Sequence, residues 1–167
     1  MKLELLEIYI QELAALRDAE QQTISATPRI TQAISRSDAR EAMQEHLQVT
    51  KEQVRRLEEM LARLGGANEK RSEATRGLLA EMQEMSKGSK DPLQEVGWIM
   101  TAKKMEALEI ACYSGALDLA RQLGMHQDVK LLERTLSEER NMADRLTALG
   151  ASVMLEAAEI EDARAVG

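Results

Sequence analysis

Apolar positions along the chain recur at alternating spacings of three and four, the period of one helix face. Punctuation residues cut this pattern into long blocks. The first extends from about Leu3 to about Ile34 and contains Pro28, whose ring and missing N–H predict a kink or break near Thr27. Asp38, with Glu41 three residues later, forms a capping signature for a second block, which Gly65-Gly66 ends near Leu64. A weaker helical segment, Ser72 to Met85, leads into a Gly88-Ser89-Lys90 loop. Asp91-Pro92 starts a third long block, with Gln94 at the box-partner position, and this block stops at Gly124 after Leu123. A fourth begins near Gln127 or Asp128 and continues to about Leu149 before Gly150. The tail, Ala151 to Ala165, is left as a short fifth helix.

Four long helices in two hairpins, joined by one long connection from Gly65 to Lys90, predict an all-α antiparallel four-helix bundle. The connection, with its own short helix, resembles the crossover of ferritin-like folds. Residues 1–167 are read as one such domain, a length that can bury a core without disulfides. Composition agrees: Leu, Ala, Met, Glu, Gln and Arg dominate, all strong helix formers, and there is no Phe to supply a sheet.

Each long block is apolar along one seam, and a polar residue there must be paired or must bind something. The first seam reads Leu3, Leu6, Ile10, Leu13, Arg17, Glu20, Ile24. The second is Ala39, Met43, His46, Thr50, Gln53, Leu57, Met60, Leu64, with three consecutive polar positions. The third is Ile99, Ala102, Glu106, Glu109, Tyr113, Ala116, Ala120, Leu123, and the fourth is Leu132, Thr135, Glu139, Met142, Leu146, Leu149. Glu20, His46, Glu106, Glu109 and Glu139 all fall near mid-helix, so an antiparallel bundle stacks them in one layer. Four buried carboxylates repel one another and lose hydration unless positive charge sits among them. Arg17 and Lys103 look insufficient for that task. Hard divalent cations take carboxylate oxygen, and imidazole completes the shell. The expectation is a di-metal site, iron or manganese, on Glu20, His46, Glu109 and Glu139, with Glu106 as fifth ligand.

At these residues the chain resembles a known family, the YciE/YciF-type ferritin-like proteins of bacteria. Ala19-Glu20-Gln21-Gln22 resembles its A-E-K-Q, with Pro28 at its L-P-K-M turn. Glu45-His46-Leu47 followed by Thr50 resembles E-E-H-L-x-x-T, and Val54-Arg55-Arg56-Leu57-Glu58 follows. Glu106-Ala107-Leu108-Glu109-Ile110-Ala111-Cys112-Tyr113 resembles E-H-Y-E-I-A-x-Y, and Thr135-Leu136-Ser137-Glu138-Glu139-Arg140 resembles T-L-x-E-E-K. The resemblance implies a ferritin-like bundle, usually dimeric and associated with stress responses, without a defined reaction. The family often has an acid where this chain has Val49, a His at Ala107 and an Asp at Ala143. Those departures keep open a second expectation, a metal-free dimeric helical bundle acting through interactions, its polar layer a register-fixing network.

The remaining features receive structural readings. Tyr113 is a packed tyrosine with a satisfied hydroxyl, and Trp98 and the 10 methionines fill the core. Cys112, the one cysteine, is a small core residue, and His126 an exposed residue near a helix start. Arg55-Arg56 and Lys103-Lys104 are read as solvated faces. Leu5 and Ile8 are candidates for a homodimer surface. A net charge of −7 disfavours nucleic acid. The longest uncharged run, Leu146 to Leu155, is far short of the roughly 20 residues that span a bilayer. The acids in Met-Lys-Leu-Glu-Leu-Leu-Glu do not suit a signal peptide, so the expected location is cytoplasmic. No catalytic residue is assigned.

Overall fold

In a computed structural model the chain folds as five helices, and the structure describes residues 2–66, 69–85 and 92–165. They are α1 (Lys2–Ala33), α2 (Ser37–Arg63), α3 (Glu73–Met85), α4 (Pro92–Leu123) and α5 (His126–Ala165). No strand occurs among the described residues. No helix among them is long and apolar enough to cross a membrane.

Two helix ends follow from glycine. Gly65 and Gly124 adopt φ of 88° and 72°, a left-handed conformation that glycine reaches without a Cβ clash. The next N–H then reaches back to the last turn, Gly66 to the Leu61 carbonyl at 2.8 Å and Met125 to that of Ala120 at 2.9 Å. Other punctuation is overridden. Pro28 does not break α1. It lies on the exposed side, and the Thr27 and Thr31 hydroxyls donate to the Thr23 and Thr27 carbonyls around it, each at 2.7 Å. Asp38 is not the cap of α2. It sits in the first turn and pairs with Arg36, whereas Glu95 of α4 accepts the Ser35 and Arg36 N–H groups at 2.7 and 2.9 Å. Gln94 donates to the Met85 carbonyl, tying α4 to the end of α3. Its expected partner Asp91 and the Gly88-Ser89-Lys90 loop lie outside the described residues.

The expected short C-terminal helix is absent. Gly150 sits mid-helix, and α5 continues through it to Ala165. A Cβ on Gly150 would meet Ile99 Cγ2 at 3.2 Å, so the glycine makes room for α4 instead of stopping α5. Val153 and Ala157 beyond it are buried.

Every long helix runs between two apolar cores. One core gathers Ile30, Met43, Met82, Trp98, Ile99, Met142, Leu146 and their neighbours. The other gathers Tyr9, Leu13, Leu57, Met60, Tyr113, Ala116, Leu132 and theirs. α1 and α5 run from the second core toward the first, α2 and α4 the opposite way. α1 packs on α2 and α4, and α5 on the same two, while α3 lies against α1 and α4.

The buried row of α1 is Tyr9, Leu13, Leu16, Glu20, Thr23, Thr27, Ile30, not the predicted row begun at Leu3, which is 77% exposed. Only Leu13 and Glu20 belong to both. Ile8 is exposed and Leu5 half-buried. Trp98 is buried as expected, Cys112 is half-buried at the edge of its core, and His126 is exposed.

Candidate metal centre

Between the two cores each long helix carries polar residues inward. On α1 Glu20 falls after Leu16, and on α2 His46, Thr50 and Gln53 fall between Met43 and Leu57. On α4 Glu106 and Glu109 fall between Met105 and Tyr113, and on α5 Glu139 falls between Leu136 and Met142. The five residues singled out from the sequence are all buried, Glu139 completely. Because α2 and α4 run opposite to α1 and α5, these positions meet at one level. His46, Glu106, Glu109 and Glu139 each offer a ligand atom, and the four atoms lie within 4.8 Å of one another. Glu20 borders this group and is held by the Tyr113 hydroxyl, which donates to its Oε1 at 2.7 Å.

The surrounding bonds orient the set. Gln53 Nε2 donates to Glu139 Oε1 from about two turns beyond His46 on α2. The Thr50 hydroxyl donates back to the His46 carbonyl at 3.0 Å. His46 Nε2 faces Glu106 Oε1 at 3.5 Å. Three carboxylate oxygens in the layer have no partner, Glu106 Oε2, Glu109 Oε1 and Glu139 Oε2, and nor does Gln53 Oε1 beside them, all inaccessible to solvent. A buried carboxylate oxygen without a donor costs on the order of 1–3 kcal/mol, so three at one spot point to a missing positive group.

Protonation follows from burial. Glu20, Glu106 and Glu109 are held well above the ordinary carboxylate range, first by loss of hydration and then by repulsion from neighbouring carboxylates. Burial pushes Glu139 up to about 7, against the lowering effect of hydrogen bonds from Glu106 and Gln53. Their mutual contact acts with opposite signs, raising Glu106 and lowering Glu139. Burial pushes His46 down to about 4, leaving a neutral imidazole with a free lone pair. Neutral imidazole and hard carboxylate oxygens are the donor set of iron, manganese and zinc, and the unpartnered oxygens fit such an ion.

The internal cation comes from an unexpected place. Arg56, read from the sequence as part of a solvated face, is only 2% exposed and ranks among the largest fully buried side chains. Its Nε donates to Thr135 Oγ1 at 3.1 Å and its Nη2 pairs with Glu138. The positive charge of Arg56 lowers the pKa of Glu20 and Glu139. Arg17 is only half-buried and Lys103 is exposed, so neither serves as the counter-charge considered from the sequence. The available signal was position: Arg56 flanks the seam residues Gln53 and Leu57, and a core-facing stripe is wider than a single row. A second buried network also escaped the seam reading. Tyr9 donates to Asp128 Oδ2 at 2.9 Å, and Arg63 pairs with the same carboxylate. Asp128 lies in the first turn of α5, where the helix dipole favours an acid.

Known proteins share this fold. Protein YciF of Escherichia coli (strain K12) is 30% identical over 156 residues, covering 92% of this chain and 94% of that protein. The crystal structure of this E. coli stress protein superposes with a TM-score of 0.83 over 90% of this chain and 96% of that one, at 29% identity. YcfI from Rhodopseudomonas palustris matches at TM-score 0.78 and 26% identity, over 84% of this chain and 90% of that one. A Xanthomonas campestris protein shares the fold at TM-score 0.74 and 18% identity, over 95% and 99% of the two chains. The family model described as a domain of unknown function, DUF892, matches residues 4–159. The resemblance read from the helical motifs is therefore met by fold and sequence together, and the chain belongs to the DUF892 family, with YciF among its relatives.

Proposed function

We propose that the protein is a ferritin-like four-helix bundle that binds a pair of iron or manganese ions through His46, Glu106, Glu109, Glu139 and Glu20. The observation that carries this reading is the convergence of three unpartnered, buried carboxylate oxygens with a neutral imidazole. Charge supports a pair: four carboxylates balance two divalent cations. Bound ions of this kind supply Lewis-acid and one-electron chemistry toward dioxygen or peroxide, in keeping with the description of YciF as a stress protein.

The chain's own residues prepare the site. Burial raises the pKa of Glu106 and Glu139, so a cation bound between them displaces protons. Gln53 fixes the rotamer of Glu139, and Tyr113 that of Glu20. Arg56 neutralises Glu138 and keeps that carboxylate from adding to the negative charge of the layer. The two apolar cores exclude water on both sides. A metal-free layer, the second expectation, leaves the three oxygens without partners and is not preferred.

Titration of chelator-treated protein with Mn2+, following loss of the free-ion electron paramagnetic resonance signal, tests the assignment. Wild type should deplete the signal, and Glu109→Ala should restore most of it while retaining the helical circular dichroism. Equal depletion by wild type and Glu109→Ala would refute the ligand set.

A further inference from the structure

The layer is closed on most sides but not between α2 and α5, which share the thinnest interface among the four long helices. A cleft of about 210 Å³ opens there. On α2 its wall is the face carrying Ala42, Glu45, His46 and Val49, and on α5 the face carrying Glu138, Asn141, Met142 and Arg145. Both rows step by three, four and seven, so each is one helix face turned toward the other. Small Ala42 and Val49 leave the gap that larger side chains would fill. His46 belongs to this wall and to the buried cluster at once. Three other surface clefts, beside Gly65, Gly66 and Lys70, between α1 and α3, and between Pro28 and Leu47, include none of the five layer residues. Across the mouth Arg145 of α5 pairs with Glu45 of α2, both exposed.

We infer that this cleft is the port through which a hydrated divalent cation reaches His46 and the carboxylates, and that the Glu45–Arg145 pair is its gate. The inference rests on the metal reading proposed above. Arg145 obstructs the path and repels a cation, whereas Glu45, once released by Arg145, attracts one. The two members of one ion pair therefore act on uptake with opposite signs. A merely structural pair would not do so, since breaking it from either side has the same result.

Co2+ alone serves as the probe, mixed with chelator-treated full-length protein and followed by its visible absorbance in stopped flow, with the bound ion counted at equilibrium. Arg145→Ala should accelerate uptake and Glu45→Gln slow it, each by about threefold or more, in the range of electrostatic effects on association. Asn141→Trp, at an exposed position that leaves the core intact, should slow uptake further. The equilibrium count should stay at the wild-type value in all three. Unchanged rates with an unchanged count would overturn the port and leave the metal site standing, as would shifts of the same sign in both gate variants. Failure of wild type to bind Co2+ at all would overturn both.

Discussion

Arg56 is a buried cation beside the layer, and its charge lowers the pKa of Glu20 and Glu139. Its guanidinium is out of water and is met by Glu138 and Thr135. Removing one partner of a buried pair leaves the other charge uncompensated, at a cost of about 3–5 kcal/mol. Glu138 keeps some solvent and a second partner in Arg134, at 3.0 Å, which softens the loss. Arg56→Met should thus lower stability by about 2–3 kcal/mol, read as a drop in the urea midpoint with an unchanged slope, and a simultaneous Glu138→Gln should recover part of it. Glu20, His46, Glu106, Glu109 and Glu139 were legible in the sequence because an acid or imidazole interrupting a row of Leu, Ala and Met is conspicuous. Arg56 was not, because Arg55 beside it is a true surface residue and periodicity alone does not separate neighbours at the edge of a stripe. Tyr9 and Asp128 pair across 119 positions, a distance over which seam counting carries no information.

Among the helices, α5 and α1 depart most from expectation. A glycine stops a helix where the next turn needs a positive φ, as at Gly65 and Gly124, but Gly150 is helical and makes room for Ile99. The same residue type carries both meanings, and only the packing partner separates them. If α5 is one continuous helix, Val153 is core: Val153→Ala should cost about 2 kcal/mol by the burial value of its side chain. Leu155→Ala, at a position 64% exposed, should fall within about 0.5 kcal/mol of neutral. Gly77 in α3 and Gly115 in α4 are exposed helical positions where a Cβ meets nothing within 4 Å. Gly77→Ala and Gly115→Ala should each raise stability by roughly 0.5–1 kcal/mol, measured by chemical denaturation. The inward row of α1 was missed because counting began at Leu3, in the first turn, where an apolar residue faces solvent. On α2, α4 and α5, where rows were begun inside the core, the predicted residues are buried apart from the half-buried Leu64, Leu123 and Leu149 that end them.

The folded protein's response to pH follows from the layer as a unit. Without a cation, Glu139 titrates near 7 against an ordinary 4.5, so the folded state holds a proton that the unfolded chain has released. A raised pKa contributes stability that is present below the ordinary value and is lost as pH rises through the folded one. His46, lowered to about 4 from 6.5, works oppositely, its contribution being lost as pH falls below 6.5. In the window above pH 6.5 only the carboxylates act, so the chelator-treated protein should melt progressively lower as pH rises through 7 and beyond. Cation binding displaces those protons, and the melting increment caused by Mn2+ should therefore grow over the same window. A flat profile in both forms would mean that the layer does not titrate as its burial requires.

The decisive determination is elemental: iron, manganese and zinc per chain in protein purified without a metal-affinity tag, before chelation, after it, and after anaerobic ferrous reloading. The proposed site should hold about two ions per chain, removable and restorable. A chain that carries none, and still takes up none on ferrous loading, would contradict it and reduce the buried carboxylates to a hydrogen-bonded layer.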